Sequence, residues 1–254
     1  MIRREELRKV AERKRISLVN TEKDYLLEIL LLSISQEARD QMILKGGTSL
    51  YKLYNLNRFS EDLDFTLNSK KIDYNSFNQA LLRATRLIGI NSTSTTESHN
   101  RETNIFFSLR GPLYDGRKES LCHISLNISN RERLSLPYVS SFFVSVYNEI
   151  PAFNVIVMDQ KEILAEKIRA IITRDKPRDV YDLWFLLKKG IEIDYSLIDQ
   201  KLKIYDRKFD LDHFKMRMLA KERLWNNDLR GLIIGSLPYF SQIASETESL
   251  MRKS

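Results

Sequence analysis

Two aspartates, Asp62 and Asp64, stand one residue apart in a run where polar and apolar residues alternate from Asp62 to Leu67. On a strand, residues i and i+2 face the same side, so both carboxylates share one face while Leu63 and Phe65 bury on the other. Two like charges held that close call for a cation. Hard carboxylate oxygens favour Mg²⁺ or Mn²⁺, and a divalent ion held by one or two carboxylates and substrate phosphates serves phosphoryl and nucleotidyl transfer. Upstream, Gly46 and Gly47 allow close approach of backbone to a phosphate. The N–H groups that open the next helix, with the hydroxyls of Thr48 and Ser49, can cradle its oxygens. Alone, a D-x-D is most often a solvated edge and a Gly-Gly most often a turn. A strand, Gly-Gly-Thr-Ser, a helix and then D-x-D, in that order, is a far more specific combination.

The elements that must position these groups follow from periodicity. "NTEKDYLLEILLLSIS" reads as a buried helix capped by Thr21, "MILKGG" as a short strand ending in a turn, and "TSLYKLYN" as a helical turn or two. After "SEDLDFTL" comes a helix at "NSFNQALLRATRLIGI". "NIFFSLRG", "LCHISLNIS", "FFVSVYN" and "FNVIVMD", rich in β-branched and aromatic residues, are then up to four further strands. The Ser/Thr cluster "NSTSTTES" is too short to separate domains. From Asp159 onward the pattern is helical: Asp159 can cap "QKEILAEKIRAIITR", "RDVYDLWFLLKKG" ends in basic residues and a glycine, and three or four more helices fill the remainder. The chain therefore divides into a sheet-bearing half, 1–158, and a helical half, 159–254. The fold class is α+β with a mixed or antiparallel sheet.

The stretch "GGTSLYKLYNLNRFSEDLDF" resembles the nucleotidyltransferase superfamily signature and, more narrowly, the first motif of the AbiEii/AbiGii family of nucleotidyltransferase-like toxins, to which the MenT toxins belong. Thirteen residues separate Thr48 from Asp62, at the long end of the superfamily's gap. "RFSEDLDF" places Arg58, Ser60, Asp62 and Asp64 on the family's pattern. "ILAEKIRAIITR" places Glu166, Lys167 and Arg174 on its E-K-x-x-A segment, and "KPRDVYDLWFLL" places Arg178, Asp179, Asp182 and Leu183 on its R-D-x-x-D-L segment, so the resemblance reaches to about Lys189. From spacing alone Lys167 is a surface residue of an amphipathic helix. The resemblance instead implies that Lys167 binds the triphosphate of an NTP, assisted by Arg174 and Arg178, and that Asp182 faces the cleft while Asp179 is structural. The chain departs from the pattern at "LCHISLNISNRER", where a third acidic residue is expected. The inward candidates there are Ser125 and Asn127, so that role is absent, or falls to Glu132 or Asp182.

The rest of the sequence limits the alternatives. The chain has 254 residues, 41 Lys and Arg against 34 Asp and Glu, and a formal charge of +7, a balance that suits a polyanionic partner. Seven of the basic residues fall in the first fifteen positions against three glutamates, as either a solvated helix face or an RNA contact. The lone Cys122 rules out an internal disulfide and points to a reducing, cytoplasmic setting; no run of eighteen apolar residues suggests a membrane span. His99, His123 and His213 are isolated, no zinc-protease pattern occurs, "GLIIG" at Gly231 to Gly235 is too polar in context for membrane packing, and Tyr181, Trp184, Phe185 and Leu186 read as core. The resemblance implies a nucleotidyltransferase-like lobe and a helical lobe completing its cleft, with transfer of NMP from an NTP to an acceptor. It further implies a toxin with tRNA or another RNA as acceptor and with a cognate antitoxin. The rivals are transfer to a small hydroxyl acceptor or of a phosphoryl group alone, and a catalytically silent module that binds RNA or protein.

Overall fold

The computed structural model describes residues 1–69, 72–99, 101–131 and 133–252; Glu132, one candidate for the third acid, lies outside the described residues. The chain forms two compact units. The first comprises residues 1–55, 59–134 and 138–157, and the second comprises residues 56–58, 135–137 and 158–254.

The first unit is built on a seven-stranded mixed sheet of order β3-β4-β5-β2-β1-β7-β6. Its strands are β1 (Met42–Lys45), β2 (Leu63–Leu67), β3 (Ser92–His99), β4 (Glu102–Leu109), β5 (Cys122–Ser129), β6 (Val139–Phe143) and β7 (Phe153–Val157). The pairs β1–β7 and β2–β5 are parallel and the others antiparallel. Among the described residues the α-helices of this unit are α1 (Arg4–Lys14), α2 (Leu18–Glu37), α3 (Gly46–Tyr54) and α4 (Tyr74–Leu87). From Thr21 to Ile34 α2 is buried on nearly all sides, as a helix that runs through a core is. It packs on β5, β7, α1 and α4, burying Leu26, Leu27, Leu30, Leu31 and Ile34.

Three details differ from the sequence reading. The cap of α2 is Ser17, which accepts from the Asn20 N–H at 3.1 Å, whereas Thr21 lies inside the first turn and donates back to the Ser17 carbonyl. The Ser/Thr cluster is an edge strand, β3, which lacks apolar alternation because it is held by its ladder to β4 and by side-chain hydrogen bonds to α4, Ser94 to Asn78 and Ser92 to Thr85. At the other edge, β6 ends at Phe143; beyond it the chain turns in, and Ser145 and Tyr147 donate to Glu28 and Asp24 of α2 at 2.5 and 2.7 Å.

The second unit is helical: α5 (Gln160–Thr173), α6 (Arg178–Lys188), α7 (Tyr195–Lys203), α8 (Leu211–Leu219), α9 (Trp225–Leu229) and α10 (Phe240–Met251). α5 touches α6, α7 and α8, and α6 touches α9 and α10. Asp159 caps α5 by accepting from the Lys161 N–H at 2.8 Å. Past α6, Gly190 at φ +76° supplies the left-handed residue that stops the helix. Residues 56–58 join this unit through the Ile234 N–H to the Asn57 carbonyl, 2.8 Å, and the Tyr181 hydroxyl to the Asn57 side chain, 2.7 Å. Tyr181 and Leu186 are buried as expected for core, while Trp184 and Phe185 are partly exposed. Among the described residues no helix is long and apolar enough to cross a membrane.

Candidate functional site

In the first unit the carboxylate pair sits where β1, β2 and β5 run side by side. Asp64 is on β2, flanked in register by Lys45 on β1 and Asn127 on β5, and Asp62 immediately precedes β2. The Asn127 amide donates to Asp64 Oδ1 at 3.0 Å, and the Ser125 backbone N–H donates to the Asp62 carboxylate. Both aspartates are half-buried and alternate with Leu63 and Phe65, which are buried in the core. Burial, and next the negative charge of Asp64, push the Asp62 carboxyl above its ordinary range. Glu61 adds to this repulsion, and Lys23, whose ammonium lies 3.4 Å from Glu61, opposes it.

The glycine turn is set against this pair. Gly46 has φ +71°, and a Cβ built on it would lie 2.8 Å from Asp64 Oδ2, closer than real Cβ atoms come. Backbone and carboxylate therefore meet there with no room for a side chain. Thr48 and Ser49 are fully buried. Thr48 donates to the Asp62 carbonyl, which braces the turn against the aspartate segment, and Ser49 donates to the Gly46 carbonyl at 2.8 Å, which closes the turn on itself. Ser60 is buried in the same unit.

α3 is anchored from behind by residues that periodicity alone did not single out. Lys52 donates to Asp24 Oδ1 at 2.5 Å and to Glu28 Oε1 at 2.6 Å, and Lys14 reaches Asp24 Oδ2 at 2.5 Å. Burial opposes ionisation of Asp24, yet Lys52 and Lys14 outweigh it and hold the carboxyl down at about 2. The available signal was two acids four residues apart inside the apolar run "DYLLEILLL".

In the second unit the remaining candidates form an ion cluster. Asp179 and Asp182, on one face of α6, share the Lys167 ammonium of α5 at 2.9 and 2.7 Å. Each is also gripped by an arginine: Arg58 reaches both oxygens of Asp182 at 2.9 Å, and Arg174 reaches those of Asp179 at 2.7 and 2.9 Å. Burial alone would lower the Lys167 pKa, but Asp182 and Asp179 raise it above the ordinary lysine range, and both aspartates are held below theirs. Lys167 is thus a buried residue rather than the surface residue that spacing alone suggests. Arg174, with a side chain 52% exposed, is the member of the cluster that reaches solvent. Arg178 instead binds Asp228, through its backbone N–H at 2.9 Å and its guanidinium at 3.1 Å.

These groups can do two things chemically. The aspartates offer two oxygen ligands with repulsion that a divalent cation would relieve, and the cluster gathers lysine and arginine groups of the kind that bind phosphate. A cation also fits the oxygen-bearing row Asp64, Asn127 and Asn104 across the sheet, in which Asn104 Oδ1 is buried without a hydrogen-bond partner among the described residues.

Comparison with known proteins agrees with this chemistry. A family model described as "Nucleotidyl transferase AbiEii toxin, Type IV TA system" matches residues 29–246. Among solved structures the chain is similar to MenT4, a nucleotidyltransferase toxin of Mycobacterium tuberculosis H37Rv, with TM-score 0.65 and 19% identity over 99% of this chain and 89% of that one. It is also similar to JHP933 of Helicobacter pylori, with TM-score 0.60 and 22% identity over 94% of each chain. At such identities the likeness is one of fold. No curated protein matches the chain.

Proposed function

Because this chain belongs to the AbiEii family of nucleotidyl transferase toxins, and is therefore a nucleotidyltransferase, we propose that it moves a nucleoside monophosphate from an NTP to an RNA acceptor, tRNA by preference, and releases pyrophosphate. The observation that carries this reading is the approach of Gly46 to the Asp64 carboxylate, with Asp62 beside it, which puts a glycine turn and a metal-binding pair in one place. Asp62 and Asp64 hold Mg²⁺ or Mn²⁺. When bound, the cation neutralises charge that develops on the transferred phosphoryl group.

The chain's own residues bind and orient the nucleotide. The Gly46 to Ser49 turn offers backbone N–H groups to the triphosphate, with the Thr48 and Ser49 hydroxyls holding the turn in shape. Lys167, Arg174 and Arg58 are the proposed cations for the triphosphate, with Arg178 and Ser60 as supporting residues. Asp182 fixes Arg58 and Lys167 in place. An RNA acceptor is supported by the formal charge of +7 and by the exposed Arg3, Arg4, Arg8, Lys9 and Arg13 on and beside α1. The family's description, a toxin–antitoxin system, supports a cognate antitoxin as partner and action in the cytoplasm.

Incubating the protein with total RNA, Mg²⁺ and each labelled NTP in turn tests the reading. A labelled tRNA band is the expected result. Label on a small hydroxyl acceptor alone, with affinity insensitive to salt, would replace RNA by a small substrate. No label from any NTP on any acceptor would refute the reading.

A further inference from the structure

We infer that Asn127 is the positioning residue of the Asp64 carboxylate, and that the Asp62 and Asp64 pair binds a single divalent cation with no third carboxylate beside it. The inference rests on the reading of that pair as the cation site. Asn127 stands directly opposite Asp64 in the parallel register of β2 and β5, and its Nδ2 lies 3.0 Å from Asp64 Oδ1. A carboxylate only accepts hydrogen bonds, so the amide presents its NH₂ to Asp64 and turns its carbonyl oxygen away. That bond fixes one carboxylate oxygen, while the other, Oδ2, lies against Gly46, where a Cβ would come within 2.8 Å. The rotamer of Asp64 is thereby defined from both sides.

The consequence is one of charge. Opposed residues on neighbouring strands have Cβ atoms about 5 Å apart. An acid at position 127 would therefore add a third negative charge beside the pair. Asparagine adds none. The pair contributes two negative charges, with the cationic Lys45 opposite Asp64 on β1 and the neutral Asn104 next to Asn127 on β4, so no anionic charge is left to hold a second divalent cation. Among the described residues no group of three acidic, histidine or cysteine side chains is placed to hold a metal. Glu61, the nearest further acid in sequence, pairs with Lys23. Among the described residues no further carboxylate stands beside the pair to act as base for an acceptor hydroxyl.

Mn²⁺ titration followed by electron paramagnetic resonance, on the full chain without nucleotide, tests this without relying on activity. The wild type should bind one Mn²⁺. Asn127→Ala should weaken binding by about tenfold or more, as loss of an orienting partner does, with little change in melting temperature. Asn127→Asp, nearly isosteric, should bind a second Mn²⁺, and it carries the test if the alanine variant does not fold. Two Mn²⁺ in the wild type, unchanged affinity in Asn127→Ala, or a single Mn²⁺ in Asn127→Asp would each overturn the inference. If Asp62→Asn abolishes binding in the same experiment, the cation site itself still stands. A wild type that binds no Mn²⁺ would remove both the site and the inference.

Discussion

Replacing Gly46 by alanine separates what the glycine does for the fold from what it does for the site. Two penalties act at this position. A non-glycine residue at φ +71° is in the left-handed region, which costs roughly 1–2 kcal/mol. The new Cβ would also lie 2.8 Å from Asp64 Oδ2, 3.3 Å from Cβ and 3.4 Å from Cγ of the same residue. The atom in its way is the end of a side chain, so the carboxylate swings aside at small energetic expense. In swinging, it gives up the 3.0 Å bond from Asn127 and its place beside Asp62. Stability should therefore fall by about 1–2 kcal/mol, a melting shift of roughly 2–8 °C for a chain of this size, while transfer falls by about a hundredfold, the scale of effect for a misplaced group. Gly89→Ala is the matched control, because Gly89 has φ +80° and nothing within 4 Å of a built Cβ. It should show the conformational penalty and keep full activity. Thermal melting and NTP-dependent labelling of RNA on both variants provide the measurements. Equal activity in the two would refute a role for the Gly46 and Asp64 contact in positioning the site.

Asp62→Asn should abolish transfer and leave the melting temperature equal or slightly higher, since it removes repulsion with Asp64 along with a ligand; full activity beside an unchanged melt would show that the pair is structural. Lys167→Ala should raise the KM for NTP or lower kcat while RNA affinity at two salt concentrations stays as it was. The same variant should lose about 3 kcal/mol in urea unfolding, because it removes a cation from two buried aspartates that each keep an arginine; unchanged NTP kinetics would remove Lys167 from the nucleotide site. Asp24 has a folded pKa of about 2 against an ordinary 3.8, and Asp179 and Asp182 are also lowered. A lowered folded pKa gives stability that is present above the unfolded value and lost as pH falls through the folded one. The urea midpoint should therefore drop between about pH 4 and pH 2, and Lys52→Met should lower it at neutral pH by taking one buried cation from Asp24, which keeps Lys14, and from Glu28. A midpoint flat down to pH 2.5 would contradict the assigned pairing.

Much of the candidate site's geometry was legible in residue type and spacing because the groups concerned are close in sequence. Gly46, Thr48, Asp62 and Asp64 lie within twenty residues, and the close meeting of the glycine turn with the aspartate strand follows from one antiparallel pairing, β1 with β2. The α+β class, the buried α2 and the helical character after Asp159 were legible too, since each rests on a hydrophobic period that a single element expresses alone. The edge strand β3 was not, because an edge strand satisfied by hydroxyls and a ladder needs no apolar face. Nor was the true end of β6, which depends on Ser145 and Tyr147 finding Glu28 and Asp24 over a hundred residues away.

What only the tertiary structure decided is how the charges are shared. Spacing alone made Lys167 a surface residue and left Asp179 and Asp182 as two carboxylates on one helix face. Folding buries all three and couples them to Arg58, from a loop more than a hundred residues earlier, and to Arg174. It likewise sets Asn127 against Asp64 through a parallel pairing between distant segments, β2 and β5. Sequence can state which groups ionise and which could share a face. Whether a buried charge is neutralised, and by which partner, depends on distances between segments far apart in the chain, because Coulomb energy in a poorly solvated interior is set by separation in space.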